Sequence, residues 1–377
     1  MVGHGLTNAE RGNILMEFAN KLRIEFKEPD VCRLCNNFFK SGMDRVLKNV
    51  VKKLQDVEFD TFLMGSVASN EMANQQDELW MAIGIEDVES IKSEINRETG
   101  KRIEKLTGKR FDLKNPDVTI VVDLNADNIR LQVRSLYVYG GYQKLVRGIP
   151  QTRWVCKRCN GKGCTFCKGE GKLYKTSVQE IIEKLLLKAA NSKNSSFSGS
   201  GREDIDARCL DYRPFVIELI KPLKRKVDLK KIEKQINRSK KVKVKGLKLV
   251  VEGRQLIRRI KTERIDKTYL AEVDFKNKID KKKLKLIKGI VGEPILQKTP
   301  LRVIHRRADK FRKRSVKSIS YKLLTRKKMQ FKIRAESGLY IKELITGDEG
   351  RTKPNISDII GDSVKKIRLD VIKIHTK

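Results

Sequence analysis

Between residues 154 and 171 the chain loses hydrophobic periodicity and becomes a run of cysteine, glycine and lysine. It reads Cys156-x-x-Cys159-x4-Cys164-x-x-Cys167, with Gly161 and Gly163 between the two pairs. A segment of this kind has no apolar face to bury, so it must fold around something other than a core. Two Cys-x-x-Cys pairs supply four thiolates, and the glycines permit tight turns. Four sulfurs suit a closed, structural tetrahedral Zn²⁺ site. An iron–sulfur cluster is the other chemistry four cysteines can hold. A third pair, Cys32/Cys35, could join one of the later pairs instead. The compact set of Cys156, Cys159, Cys164 and Cys167 is the reading adopted, with Cys209 a buried thiol. Three such pairs and a singleton do not make a secreted disulfide framework.

The 377 residues, 39% of them apolar, suffice for two or three domains. Lys and Arg number 84 against 47 Asp and Glu, a net charge of +37, which points to a polyanionic partner. The excess is uneven. Residues 1–100 hold 12 basic and 17 acidic side chains, residues 221–260 hold 16 and 3, and residues 301–330 hold 12 and 1. A phosphate grip therefore belongs in the C-terminal half; the other reading of these runs is a solvated lysine-rich face. No apolar run reaches membrane-spanning length, and the N-terminus lacks the pattern of a signal peptide. The expectation is a cytoplasmic protein with no membrane partner.

Periodicity predicts helices over 7–27 (Leu15, Phe18, Leu22, Phe26), 44–54 and 87–99 (Val88, Ile91, Ile95). Val118–Leu124 and Ile129–Tyr139 read as strands. After the cysteine segment, Ser177-Val-Gln-Glu180 reads as a capping box at the head of an apolar-faced helix. Asn191–Gly201 reads as a loop. Arg213–Ile220, Val242–Val250 and Lys267–Phe275 read as strands, the last with Tyr269, Ala271, Val273 and Phe275 on one face. Phe331–Ala335 alternates in the same way, and Leu339–Ile345 reads as a short helix stopped at Gly347.

Three residues could carry chemistry. Asp204 stands in Gly199-Ser-Gly-Arg-Glu-Asp-Ile-Asp-Ala-Arg208, where Arg202 and Arg208 would keep its carboxylate ionised and able to act as a nucleophile. On the residues alone it reads first as a loop carboxylate paired with an arginine. Tyr269 is a sheet tyrosine or a platform for a base. Lys342, in Gly338-Leu-Tyr340-Ile-Lys342, is a solvent-facing lysine or a partner that orients Asp204. No phosphate-binding loop, dinucleotide fingerprint or zinc-deaminase pattern is present, and only His4, His305 and His375 exist. Chemistry must then run on a carboxylate, a tyrosine or a lysine without a nucleotide cofactor.

Four segments together resemble the archaeal tRNA pseudouridine synthase family that modifies uridines 54 and 55 of the T-loop. They are Tyr137–Arg147 running into Ile149–Trp154, the cysteine pairs with Lys175–Glu180, Gly201–Arg208 with Arg213-Pro-Phe215, and Gly338–Ile345 with Gly347-Asp, Gly350-Arg-Thr and Pro354-Asn. The similarity covers most of the chain from about residue 130. It implies that Asp204 is the nucleophile, that Tyr269 and Tyr340 contact substrate, and that Lys342 is the basic partner of Asp204. It implies tRNA as substrate, structural Zn²⁺, and a mobile loop within 301–330. Two residues depart from the family pattern: Gly141 replaces a larger basic residue, and Asp211-Tyr212 stand where glycine is expected.

The resulting fold class is α/β (α+β): a THUMP-like RNA-binding region over 1–153, a zinc segment over 154–174, and a catalytic domain over 175–377 on a mainly antiparallel sheet. The expected reaction isomerises uridine 54 and/or 55 of tRNA to pseudouridine. The alternative is a non-catalytic zinc-containing RNA-binding protein, which explains charge and cysteines but not the matching Asp204, Tyr269 and Lys342 motifs. A THUMP-bearing methyltransferase or thiolation enzyme would need a cofactor loop that the chain lacks.

Overall fold

The structure, a computed structural model, describes residue 6 and residues 8–27, 30–84 and 89–376. The chain forms two compact units. One comprises the residues up to Ser135 with Ala190–Asn194 and Ile220–Val227; the other comprises the remainder.

In the first unit, helices α1 (Asn8–Lys21), α2 (Met43–Leu54), α3 (Asn70–Ile83) and α4 (Ile91–Thr107) accompany strands β1 (Thr61–Val67), β2 (Arg110–Phe111), β3 (Val118–Asp123) and β4 (Asn128–Val133). The sheet order is β2-β1-β3-β4, with β1 parallel to both neighbours and β3 antiparallel to β4. Phe62 and Met64 of β1 and Val118, Ile120 and Val122 of β3 alternate inward. They meet Val46, Leu47 and Val50 of α2 and Ile91, Ile95 and Ile103 of α4. Helix α4 starts on Ser90, whose hydroxyl accepts from Ser93 N at 3.2 Å, and stops at Gly108 in the left-handed region. The expected start at 87 and its Val88 lie outside the described residues.

Helix α1 is shorter than its apolar spacing predicts. It ends at Lys21, Arg23 has φ 54°, and Leu15, Phe18, Leu22 and Phe26 are exposed rather than packed. The strand expected over Ile129–Tyr139 is two strands. Arg134 ends β4 by donating to Asp117 at 2.8 Å, and the chain resumes as β5 (Leu136–Lys144) in the larger sheet of the second unit.

The second unit contains β5, α5 (Val178–Ala190), β6 (Asn194–Gly199), β7 (Arg208–Ile220), α6 (Leu229–Ile236), β8 (Val242–Val250), α7 (Gly253–Thr262) and β9 (Lys267–Phe275). There follow β10 (Pro294–Gln297), β11 (Arg312–Thr325), β12 (Lys328–Ala335), α8 (Ile341–Thr346), β13 (Thr352–Lys353), α9 (Ile356–Ile360) and β14 (Val364–Ile374). One sheet runs β13-β10-β11-β12-β9-β14-β7-β5-β8, with β6 paired to β7. Only β7–β14 is parallel among its registered pairs. Ala271, Val273 and Phe275 of β9 face a core with Met329, Phe331 and Ile333 of β12 and Leu344, Ile345 and Ile356 beyond them. The alternation read in Lys267–Phe275 is therefore the packing of the sheet.

Two local details differ from the sequence reading. Ser177 Oγ accepts from Glu180 N at 3.1 Å, but the Glu180 carboxylate takes the Ser177 hydroxyl and Lys172 instead of reaching back to the backbone. The Asn191–Gly201 stretch contains β6, because its serines alternate with Phe197, whose ring stacks on Phe215 of β7 at 5.1 Å.

Candidate active site

Asp204 lies in the turn between β6 and β7. Gly201 (φ 71°) lets the chain reverse, Ala207 N donates to Asp204 O at 3.0 Å, and Ser200 N returns to Pro214 O at 2.9 Å. Glu203 and Asp204 point apart. Glu203 is buried and accepts from Tyr142 Oη at 3.0 Å, with Arg213 Nε at 3.1 Å and Lys144 Nζ at 3.8 Å. Lys144 holds the backbone of the turn by donating to Ile149 O (3.0 Å), Asp204 O (2.9 Å) and Ile205 O (3.2 Å). Arg213 donates to Ser200 O at 2.9 Å on the other flank. The acidic turn is thus fastened from beneath by two buried cations.

Above, the Asp204 carboxylate meets Arg302 at 2.9 Å through Oδ1 and Lys342 at 3.3 Å through Oδ2. Burial works against its charge, but these two cations hold its carboxyl below the ordinary carboxylate value. The expected support from Arg202 and Arg208 is not what the turn provides. Arg208 pairs with Asp370 at 2.7 Å, and Arg202 is exposed and makes no ion pair among the described residues. Lys342 also meets Asp206 at 2.8 Å. Arg302, on the 3-10 stretch Leu301–Arg306, is anchored at 2.6 Å by Glu343, itself buried on α8. Its guanidinium lies 5.9 Å from the Tyr340 ring centre, and Arg307 donates to Tyr340 Oη at 2.5 Å.

These groups line a cavity of about 580 Å³ together with Tyr269, Lys267 and Arg314. Burial pushes the Tyr269 hydroxyl up to about 12, so it stays a neutral phenol. Burial, then Arg213, pulls the Lys267 ammonium down to about 8. Asp204, Tyr269, Tyr340 and Lys342, separated widely in sequence, are brought into one cavity. Sequence reasoning missed Arg302, Lys144, Glu203, Arg213 and Lys267. A lysine at the inward end of β5, in step with Val138 and Tyr142, was the available signal for Lys144.

The four later cysteines form a second centre. Their sulfurs all lie within 4.8 Å of one another, with 3.7 Å for Cys164–Cys167, 3.8 Å for Cys159–Cys167 and 3.9 Å for Cys156–Cys164. Four sulfurs at about 2.3 Å from one tetrahedral Zn²⁺ lie roughly 3.8 Å apart, so the set fits that ion. Burial opposes ionisation of Cys167, yet the N–H groups of Cys164 and Gly171, at 3.2 Å each, help bring its thiol down to about 7. Gly163 has φ 95°, and a Cβ there would lie 2.6 Å from Gly169 O, so the knuckle requires glycine. Cys32 and Cys35 belong to the first unit. Cys35 packs in its apolar core and burial raises its thiol, and among the described residues no further ligand gathers around that pair. Cys209 is fully buried, which pushes its thiol up to about 11.

Fold and site define a two-unit α/β chain with a cavity that gathers a carboxylate, two tyrosines and basic side chains, and with four cysteines placed to hold a metal ion. The family model described as "Pus10, C-terminal" matches residues 137–375, and the one described as "Pus10 THUMP domain, archaeal" matches residues 46–123. Curated relatives named tRNA pseudouridine synthase Pus10 include that of Methanocaldococcus jannaschii, 42% identical over 92% of this chain and 76% of its own length. That of Archaeoglobus fulgidus is 40% identical over 91% and 94%. The chain belongs to the Pus10 family. Solved structures resemble it distantly: a Cbf5-Nop10-Gar1 complex at TM-score 0.32 and 15% identity, covering 62% of this chain and 48% of the other, and a pseudouridylate synthase at 0.23 and 12%, covering 79% and 87%. Among the described residues no helix is long and apolar enough to cross a membrane.

Proposed function

We propose that this chain isomerises uridine to pseudouridine in the T-loop of tRNA, at position 54, position 55 or both, with Asp204 as nucleophile. The observation that carries this reading is the Asp204 carboxylate, held by Arg302 at 2.9 Å and Lys342 at 3.3 Å in a cavity that also presents Tyr269. The target nucleotide leaves the stack and enters the cavity, at a cost of a few kcal/mol. Asp204 attacks C1′ of the ribose as the C1′–N1 bond breaks. The uracil turns on the Tyr269 ring, C5 bonds to C1′ as the carboxylate departs, and the C5 proton is lost while N1 gains one. Bonds and electrons balance without an oxidant or nucleotide cofactor. Lys342 and Arg302 keep the carboxylate ionised between turnovers, and Tyr340 lines the same cavity. Cys156, Cys159, Cys164 and Cys167 hold a structural Zn²⁺ that takes no part in the chemistry.

The test is incubation of unmodified tRNA with the full chain and with Asp204→Asn, followed by carbodiimide-adduct mapping of pseudouridine. The wild type should modify the T-loop. The variant should turn over at least 10³-fold more slowly while binding tRNA within a few-fold of wild type. Undiminished turnover by Asp204→Asn, with metal retained, assigns the nucleophile elsewhere. Binding without any product by the wild type favours the non-catalytic alternative.

A further inference from the structure

The proposed reaction moves a charge. While the C1′–N1 bond is intact, the negative charge sits on the Asp204 carboxylate, which Arg302 and Lys342 hold at 2.9 and 3.3 Å. As a carboxylate oxygen bonds to C1′, the C1′–N1 electron pair departs with the base. Asp204 becomes a neutral ester, and the uracil becomes an anion with its charge spread over N1, O2 and O4. The cations that served Asp204 are tied in place, Arg302 by Glu343 at 2.6 Å and Lys342 by Asp206 at 2.8 Å. A donor fixed beforehand where charge arrives stabilises it most, because nothing has to reorganise and water is excluded.

Lys267 is placed for that task. It lines the cavity together with Tyr269 and Gly201 and is 8% exposed. Lys267 and Tyr269 are alternate residues of β9, so they share one face of the strand about 6.6 Å apart. Lys267 Nζ lies 3.9 Å from the point where a Cβ on Gly201 would stand. The ammonium therefore sits against the turn that carries Asp204, one strand repeat from the ring on which the uracil stacks.

Its charge lacks a counter-ion. Nζ donates to Ile265 O at 2.9 Å, which leaves two of its three N–H groups. Among the described residues Lys267 makes no ion pair. Glu203 serves Arg213 at 3.1 Å and Lys144 at 3.8 Å, and Asp266 is paired with Arg334 at 3.3 Å. Burial and the neighbouring Arg213 both act against the ammonium. A buried cation beside a second cation is costly unless an anion arrives. The other cations of the cavity stand differently. Arg213 is as buried but has Glu203, and Arg202, Lys261 and Arg307 are exposed, where water weakens their field.

We infer that Lys267 is a catalytic residue that receives the negative charge of the departing uracil, its remaining N–H groups donating to a carbonyl oxygen of the base as the glycosidic bond breaks. No proton changes hands in this step; the ammonium is a donor before and after it. The inference rests on the uridine-isomerase reading above and adds to it the group that stabilises the leaving base. An RNA phosphate is the competing anion. A phosphate contact is present throughout and sets affinity, whereas a contact made only as charge develops sets the rate at saturation.

The test is single-turnover kinetics on the full chain with T-stem-loop RNAs carrying uridine or 5-fluorouridine at the target. Fluorine withdraws electrons from the ring and makes the base a better leaving anion. Lys267→Met removes the charge at similar volume. Lys267→Gln also removes it but keeps a donor for Ile265 O, and urea midpoints show which variant to use. At saturating enzyme, conversion of uridine should slow by about 10²–10³-fold, the cost of one missing donor to a developing anion. RNA affinity should stay within a few-fold of wild type. With 5-fluorouridine, followed as loss of the intact nucleoside after digestion, the penalty should be smaller by about tenfold or more, since the leaving anion then depends less on the cation. Equal penalties for the two bases, an unchanged rate, or a loss confined to affinity overturns the inference, and the last assigns Lys267 to a phosphate. Each of these leaves the isomerase reading standing. A wild type that binds RNA but converts neither base refutes that reading and the inference with it.

Discussion

Lys144→Met tests how the Asp204 turn is held. The ammonium is fully buried and serves three carbonyl oxygens at 2.9–3.2 Å, one of them that of Asp204 itself. Methionine fills a similar volume but leaves all three acceptors without this donor. A buried acceptor stripped of its partner costs about 1–3 kcal/mol. Burial, opposed by Glu203, holds the Lys144 ammonium below the usual lysine range, so its removal relieves a desolvation cost and returns part of that loss. Glu203 keeps Arg213 at 3.1 Å and Tyr142 at 3.0 Å, so no isolated buried charge remains. The net expectation is about 3–5 kcal/mol of lost stability, the range for a broken buried ionic contact. With m of about 1–3 kcal/mol/M, the urea midpoint of the second unit should fall by roughly 1–5 M. In native buffer the carboxylate should shift with its backbone, and a misplacement near 1 Å costs about 10²-fold in rate. Exposed Lys245→Met is the control, expected within about 0.5 kcal/mol of wild type. A Lys144→Met protein with both wild-type midpoint and wild-type kcat would refute the claim that this lysine fastens the turn.

Metal analysis should find about one zinc per chain, lost in Cys156→Ser/Cys159→Ser and retained in Cys32→Ser/Cys35→Ser; the reverse pattern overturns the ligand set. Asp117, against Arg134 and Arg225, and Asp370, against Arg208 and Arg147, have pKa values below the ordinary 3.8 although burial works the other way. Their stabilisation is therefore present above the ordinary aspartate value and is lost as pH falls through their lower folded values. Urea midpoints should drop below about pH 4, less steeply in Asp370→Asn than in wild type; parallel profiles would remove Asp370 from the account. Replacing exposed Lys245, Lys248 and Arg258 by alanine should flatten the salt dependence of tRNA binding by about 2–3 in log–log slope, whereas an unchanged slope marks that edge of the sheet as a solvated face.

Periodicity made the strand Lys267–Phe275 legible because packing against one core imposes alternation directly on the residues. Spacing likewise revealed the four-cysteine knuckle, since gathering neighbouring thiols is a local constraint. The partners of Asp204 were only half legible. Lys342 was found through its motif, but Arg302 lies 98 residues from Asp204 in a stretch, 301–330, where 12 of 30 residues are basic. Nothing local separates the arginine that enters the site from those that face water; burial of Glu343 makes that distinction, and burial is a property of the fold. The same reasoning explains why a strand was missed at Asn194–Gly199, where serines mimic loop chemistry and only Phe197 signals the stacking on Phe215.

The two departures from the family pattern illustrate this most directly. Read along the chain, Gly141 and Asp211-Tyr212 are separate departures from expectation, a larger basic residue being expected at the first and glycine at the second. In the sheet, Gly141 is paired with Pro214, and a Cβ at 141 would lie 2.9 Å from Tyr212 Cβ. Tyrosine at 212 therefore leaves no room for a side chain at 141, so the two positions are coupled across neighbouring strands. A cation still stands over the position: Lys245, in register with Gly141 on β8, places its ammonium 5.8 Å from the centre of the Tyr212 ring. Substituting arginine at 141 alone should accordingly destabilise the β5–β7 pairing, by roughly the 1–3 kcal/mol of an overpacked site. The double variant Gly141→Arg/Tyr212→Gly should recover most of that loss, and additive losses in urea midpoint would show the two positions to be independent.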